Sequence, residues 1–165
     1  MKSAVPRVAA QAAIVLATVL AGCGFHLQGR IPLPESLKAV YVQATDQQSD
    51  FVQNLRKALL TSGARPQLQK DKASAVVYII KDEVVRRTLS VSANNQPNEY
   101  EVTYQVRFSV TVGDKERLAP QDVSATRSYS FAESLLLAKE NEESILRQAM
   151  AHDLADIVMR QLSSL

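Results

Sequence analysis

Apolar and polar residues alternate without a break from Glu101 to Val112. Val102, Tyr104, Val106, Phe108, Val110 and Val112 take one parity, and Thr103, Gln105, Arg107, Ser109 and Thr111 take the other. A period of two over this length predicts an antiparallel strand with one face buried and one in water. Val123 to Phe131 alternates too, except that Arg127 shares the parity of Val123, Ala125, Tyr129 and Phe131. A charge on that parity must find a partner or lie at a β-bulge that re-aims it. Ala75 to Ser92 is long for one strand and changes character midway. Val76 to Ile80 is apolar on both parities, whereas Val85, Leu89 and Val91 share one parity of a mixed second half. Lys38 to Ala44 is a short β-branched and aromatic run, read as the first strand.

Two segments follow the helical period instead. With Ser49 or Asp50 as the cap, Phe51, Leu55, Ala58 and Leu59 fall on one side of a helix running to about Ser62. Gly63 is a natural stop, and Pro66 supports that boundary. From about Asn141 to the end, Leu146, Ala149, Met150, Leu154, Ile157, Val158 and Leu162 form an apolar stripe. Glu140, Glu142 and Glu143 favour the start of this helix through its dipole, and Arg160 favours its end. Ser134 to Ala138 reads as a loop or a short helical turn, and Asn94 to Asn98 and Gly113 to Lys115 as turns. The order is β-α-β-β-β-α. It predicts an α+β two-layer sandwich, two helices packed on a four-stranded, mostly antiparallel sheet, in one domain over residues 37–165.

The first residues are different in kind. Lys2 and Arg7 precede an uncharged run from Val8 to Ala21, and Leu20-Ala21-Gly22-Cys23 closes it with the only cysteine of the chain. A basic leader, a short apolar run and small residues at its end are the marks of a secretory signal peptide. The four-residue pattern resembles the lipobox of bacterial lipoproteins. That resemblance implies removal of residues 1–22 and attachment of an S-diacylglycerol and an N-palmitoyl group to Cys23. Gly24 to Ser36 carries Pro32, Pro34 and two glycines and reads, with Cys23, as an extended tether.

Charge narrows the partners. The formal net charge of +2 comes from Lys2 and Arg7, so the rest of the chain sets 17 Lys and Arg against 17 Asp and Glu. A balanced domain lacks the basic excess of a nucleic-acid binder. With Cys23 taken by lipid, no thiol remains for a disulfide, a metal or a nucleophile. No apolar run after Cys23 approaches the roughly 20 residues that span a bilayer. His26 and His152 stand far apart, with no HxxxH or CxxC pattern to suggest a metal, and no G-x-S-x-G, Walker or G-x-G-x-x-G motif occurs. Glu140-Asn141-Glu142-Glu143 reads as a solvated helix start rather than a glycosidase pair. The reading is a non-enzyme without a cofactor.

Some basic residues are candidates for binding. Arg86 and Arg87 lie mid-strand, where alternation sends one to each face, so at least one points toward the helix layer. A snorkelling side chain or a rim ion pair accounts for them more simply than a ligand does. Lys139 stands between Leu135-Leu136-Leu137 and the acidic helix start. Three leucines beside a cation suit a phosphorylated lipid or the wall of a partner.

Three stretches together resemble the LptE family of lipopolysaccharide-assembly lipoproteins. They are Cys23-Gly24-Phe25-His26-Leu27-Gln28-Gly29, Arg127-Ser128-Tyr129-Ser130-Phe131 and Ala138-Lys139-Glu140-Asn141-Glu142. The resemblance implies an outer-membrane lipoprotein, lipid-anchored on the periplasmic side, that plugs the β-barrel LptD, assists its assembly and binds lipopolysaccharide. Lys139 matches a position implicated in that binding. A second basic position near a hairpin tip is unmatched, since Ala93, Asn94 and Asn95 stand there, which leaves Arg86 or Arg87 as substitutes. Gly24 in place of an aspartate lacks the inner-membrane retention signal. The competing readings are a periplasm-facing lipoprotein that binds another lipid or envelope component without a barrel, and a hydrolase whose site forms only in the fold.

Overall fold

A computed structural model describes residues 31–130 and 136–165, with side chains in the last helix from Glu143 onward. The elements are β1 (Ala39–Gln43), α1 (Asp50–Thr61), β2 (Arg65–Gln67), β3 (Ala75–Val91), β4 (Pro97–Val112), β5 (Lys115–Ser130) and α2 (Leu136–Ser163). Single 3-10 turns occur at Glu35–Leu37 and Lys70–Lys72. The α+β layering agrees with the sequence reading, but the sheet does not. It has five strands in the order β2-β1-β3-β4-β5, and β1 runs parallel to both of its neighbours. The sheet is therefore mixed rather than four-stranded and mostly antiparallel. The missed strand, Arg65-Pro66-Gln67, is too short to show a period. Its proline is tolerated because β2 is an edge.

α1 forms where its caps say it should. Ser49 Oγ accepts from the Val52 N–H at 3.2 Å and donates to Asp82 Oδ2 on β3 at 2.5 Å. At the other end Gly63 takes φ +86°, with Ala64 N–H bonded to the Leu59 carbonyl and Gly63 N–H to that of Leu60, the paired bonds of a Schellman stop. α2 begins at Leu136, five residues ahead of the expected Asn141. Leu136 and Leu137 are thus helical, not part of a connection. Ser134, Leu135 and the end of the Val123 to Phe131 run at Phe131 lie outside the described residues.

Both helices cover one face of the sheet. Phe51, Leu55 and Leu59 of α1, Met150, Leu154, Val158 and Leu162 of α2, and Val40, Val77, Val102, Val106, Phe108 and Val110 of the sheet form one buried cluster. The change of character within Ala75 to Ser92 has a physical cause. Ile79 pairs with Phe108 and Lys81 with Arg107, so Ile80 is an extra residue, a β-bulge. Ala75, Val77 and Ile79 face the helices before it, and Asp82, Val84 and Arg86 after it. The inner parity switches from odd to even. Ile80 itself is exposed. No helix among the described residues is long and apolar enough to cross a membrane.

Candidate functional site

β1 leaves β3 after Tyr78, so the remaining thirteen residues of β3 continue with β4 and β5 as a three-stranded ribbon. Its inner face carries two cross-strand rows near the start of α2. One is Arg86–Val102–Arg127, and the other is Thr88–Tyr100–Tyr129. Arg86 is the member of the arginine pair that turns inward. Its Nη1 lies 2.9 Å from Glu143 Oε2 on α2, and the Tyr129 hydroxyl donates to the same oxygen at 2.7 Å. The guanidinium sits 4.9 Å above the Tyr100 ring, which is tilted 36° against Tyr129 at 5.8 Å. Cation, rings and carboxylate lock the first described side chain of α2 onto the ribbon.

The electrostatics follow from these contacts. The Tyr129 hydroxyl, and then Arg86, hold the Glu143 carboxyl below the usual carboxylate range, against an opposing effect of burial. Burial first, then the neighbouring carboxylate, pushes the Tyr129 hydroxyl up to about 12. A carboxylate with a lowered folded pKa contributes stability that is complete above its unfolded value, about 4.3. That contribution disappears as pH falls through the folded value. Glu143→Gln is therefore expected to flatten the dependence of stability on pH below about pH 4.3. Urea midpoints measured down the acid limb check this; parallel curves for the two proteins would refute it.

The other candidates are placed as follows. Arg87 turns to the outer face, with Nε 2.6 Å from Glu101 Oε1. Arg127, the charge on the apolar parity of β5, reaches Asp153 of α2 at 3.1 Å. It finds a partner across the layers, the first of the two resolutions that the sequence left open. Lys139 falls in the first turns of α2, one turn ahead of Glu143 or about 6 Å along the axis. Its side chain, like all of Cys23, lies outside the described residues. Arg86 and Arg87 are thus each committed to a carboxylate. Glu143 and Tyr129 were visible in the sequence only as a helix-start acid and a strand aromatic. Nothing local signalled that they share an oxygen.

The outer face of the ribbon is bare of helices and carries polar residues along β4 and β5. It carries three ion pairs, Lys81 with Glu83 at 3.1 Å, Arg87 with Glu101, and Arg107 with Asp122 at 3.7 Å, while Glu99 accepts from the Ser90 hydroxyl at 2.9 Å. Thr103 and Thr126 exchange a hydroxyl hydrogen bond between these pairs at 3.2 Å. Along β3, Val85, Leu89 and Val91 are each about half exposed. Aliphatic surface thus lies beside the Arg87–Glu101 pair near the far end of the ribbon. Among the described residues no three His, Cys, Asp or Glu side chains gather as metal ligands.

Comparison with known proteins gives this surface a context. A family model described as LptE, lipopolysaccharide-assembly, matches residues 37–162. The chain is 24% identical over 147 residues to the LPS-assembly lipoprotein LptE of Pectobacterium atrosepticum, covering 87% of this chain and 78% of that one. It is 26% identical over the same length to the protein of that name from Yersinia pestis, covering 70% of the latter. A solution structure of an uncharacterized lipoprotein B from Nitrosomonas europaea superposes with a TM-score of 0.70 at 26% identity, over 86% of this chain and 91% of that chain. The crystal structure of rare lipoprotein B from Shewanella oneidensis superposes with a TM-score of 0.66 at 25% identity, over 76% of this chain and 94% of that chain.

Proposed function

The chain belongs to the LptE family of lipopolysaccharide-assembly proteins, and on that premise we propose that it seats inside the LptD β-barrel, assists its assembly and binds lipopolysaccharide on its way to the cell surface. Family membership places it among assembly lipoproteins rather than enzymes. The finer reading adds a lipid anchor at Cys23 in the periplasmic leaflet of the outer membrane. The observation that carries the barrel partnership is the outer face of the ribbon, where every ion pair is internal and hydroxyls fill the spaces. Such a face can stand against the wet wall of a barrel without burying a charge alone.

For lipopolysaccharide, Lys139 is the candidate contact. Arg86 holds the start of α2 through Glu143 and so sets where Lys139 stands, and Arg87 lies on the opposite face as the weaker candidate. Phosphates would meet the cation and acyl chains the neighbouring aliphatic surface. The test is extraction of the tagged protein from membranes in mild detergent. A barrel protein of LptD type should co-purify in equal amount, and recovery of the lipoprotein alone would overturn the plug. Lys139→Asp is expected to weaken lipopolysaccharide binding on the order of tenfold, the scale of one lost charge-assisted contact. Its circular dichroism should not change. Unchanged binding in a titration would remove Lys139 from the site.

A further inference from the structure

A trough runs along the seam between α1 and α2. It consists of two cavities of ≈ 460 and ≈ 430 Å³ that share Asn54, Lys57 and His152, so the two are continuous. Its upper part is bounded by Asp50 and Ile145, near the starts of the described contacts between the helices, and its lower part by Ser62 and Arg160. Ile31, the first described residue, lines the lower part and packs against the core cluster. At the other end Ile145 is 68% exposed, a large aliphatic side chain on the rim with no described cover.

We propose that this trough is the docking site of the chain's own leading segment, Gly24 to Arg30. Three independent features select that occupant. The first is position: the segment ends where Ile31 already sits in the trough. The second is length. From Ser62 back to Asp50 is twelve residues of helix, about 18 Å, and seven extended residues span about 23 Å. The segment therefore reaches from Ile31 to Ile145 with little slack.

The third feature is pattern. Phe25, Leu27, Gly29 and Ile31 share one parity, and Gly24, His26, Gln28 and Arg30 share the other. In an extended chain, a period of two puts alternate side chains on one side. Extended along the trough from Ile31, the segment would turn Leu27 and Phe25 toward it and His26, Gln28 and Arg30 toward water. Phe25 would then lie toward Ile145 and Ala149, the two apolar residues of an upper part otherwise lined by polar side chains. The Pro32 and Pro34 that follow fix the direction in which the chain leaves the trough. The consequence is a domain held at a set attitude to residue 23, rather than one swinging on a free string.

The experiment uses the full-length protein extracted from cells in mild detergent. Trypsin cleavage after Arg30 reads docking directly, since proteolysis follows the open population when opening is fast. The double variant Phe25→Asp with Leu27→Asp is expected to be cut about tenfold faster than the wild type, as is Ile145→Asp on the trough side. Circular dichroism should be unchanged in both. Equal cleavage rates in all three proteins would overturn the proposal. A photoreactive benzophenone side chain at position 27 supplies the second readout. Adducts within the same chain to α1 or α2 support docking, and adducts to a second copy or to another protein overturn it. Neither readout requires the barrel or lipopolysaccharide, so the outcome is separate from the proposed function.

Discussion

Phe108→Ala is expected to destabilise the domain by about 3–5 kcal/mol, a large fraction of the roughly 5–15 kcal/mol that holds a typical domain folded. Phe108 is fully buried on the central strand β4, and its surroundings cannot collapse easily. On one side it pairs with Ile79, immediately before the bulge at Ile80. On the other it pairs with Gln121, and the next pair, Val110 with Leu118, skips an extra residue of β5 beside Pro120. Both neighbouring ladders are thus irregular at the level of this ring. Truncation leaves a cavity between strands whose register is pinned on both sides. A urea titration would show a midpoint lowered by more than about 1 M with an unchanged slope. A loss under about 1 kcal/mol would mean that α2 closes over the gap.

The second large effect concerns Cys23→Ala, which is expected to abolish lipid attachment altogether. Each buried methylene contributes about 0.8 kcal/mol, so an anchor of two or three acyl chains is effectively permanent, and the variant keeps only the uncleaved apolar run of residues 8–21 in its place. The variant should fail to incorporate radiolabelled palmitate and retain residues 1–22. Normal labelling and processing would sink the lipobox reading of Leu20-Ala21-Gly22-Cys23.

What the sequence made legible was what local periodicity can encode. β4 announced itself because a half-buried antiparallel strand writes both of its faces into consecutive residues. α1 did so because its cap, stripe and glycine stop agree. Three things were hidden for physical reasons. β2 is three residues long, and its partner β1 lies across a helix, so no local pattern records the parallel pairing. The start of α2 was set late because Leu136 and Leu137 resemble a connection when their helical continuation is judged from Asn141 onward. The bulge at Ile80 reversed which parity of β3 faces inward, and only the pairing with Arg107 reveals it. For the candidate site, the split of Arg86 and Arg87 between two faces was legible. Which of them turned inward was not, because the bulge at Ile80 sets the parity and the carboxylate that Arg86 meets, Glu143, is 57 residues away.

The three-stranded ribbon also bears on how such proteins can diverge. Among the described residues, Ser90, Glu99 and Ser130 form the last row in which all three strands take part. Residues added to β3 and β4 beyond that row, in equal number, leave the described ion pairs to α2 and the described buried side chains where they are. Adding two to each strand keeps every tip residue on its original face, and moves the tip outward by about 6.6 Å. Adding one turns the tip residues over. The height of the hairpin above the core is therefore a quantity that mutation can change only in even strides, and a lineage can retune it by insertion while the rest of the domain stays as it was.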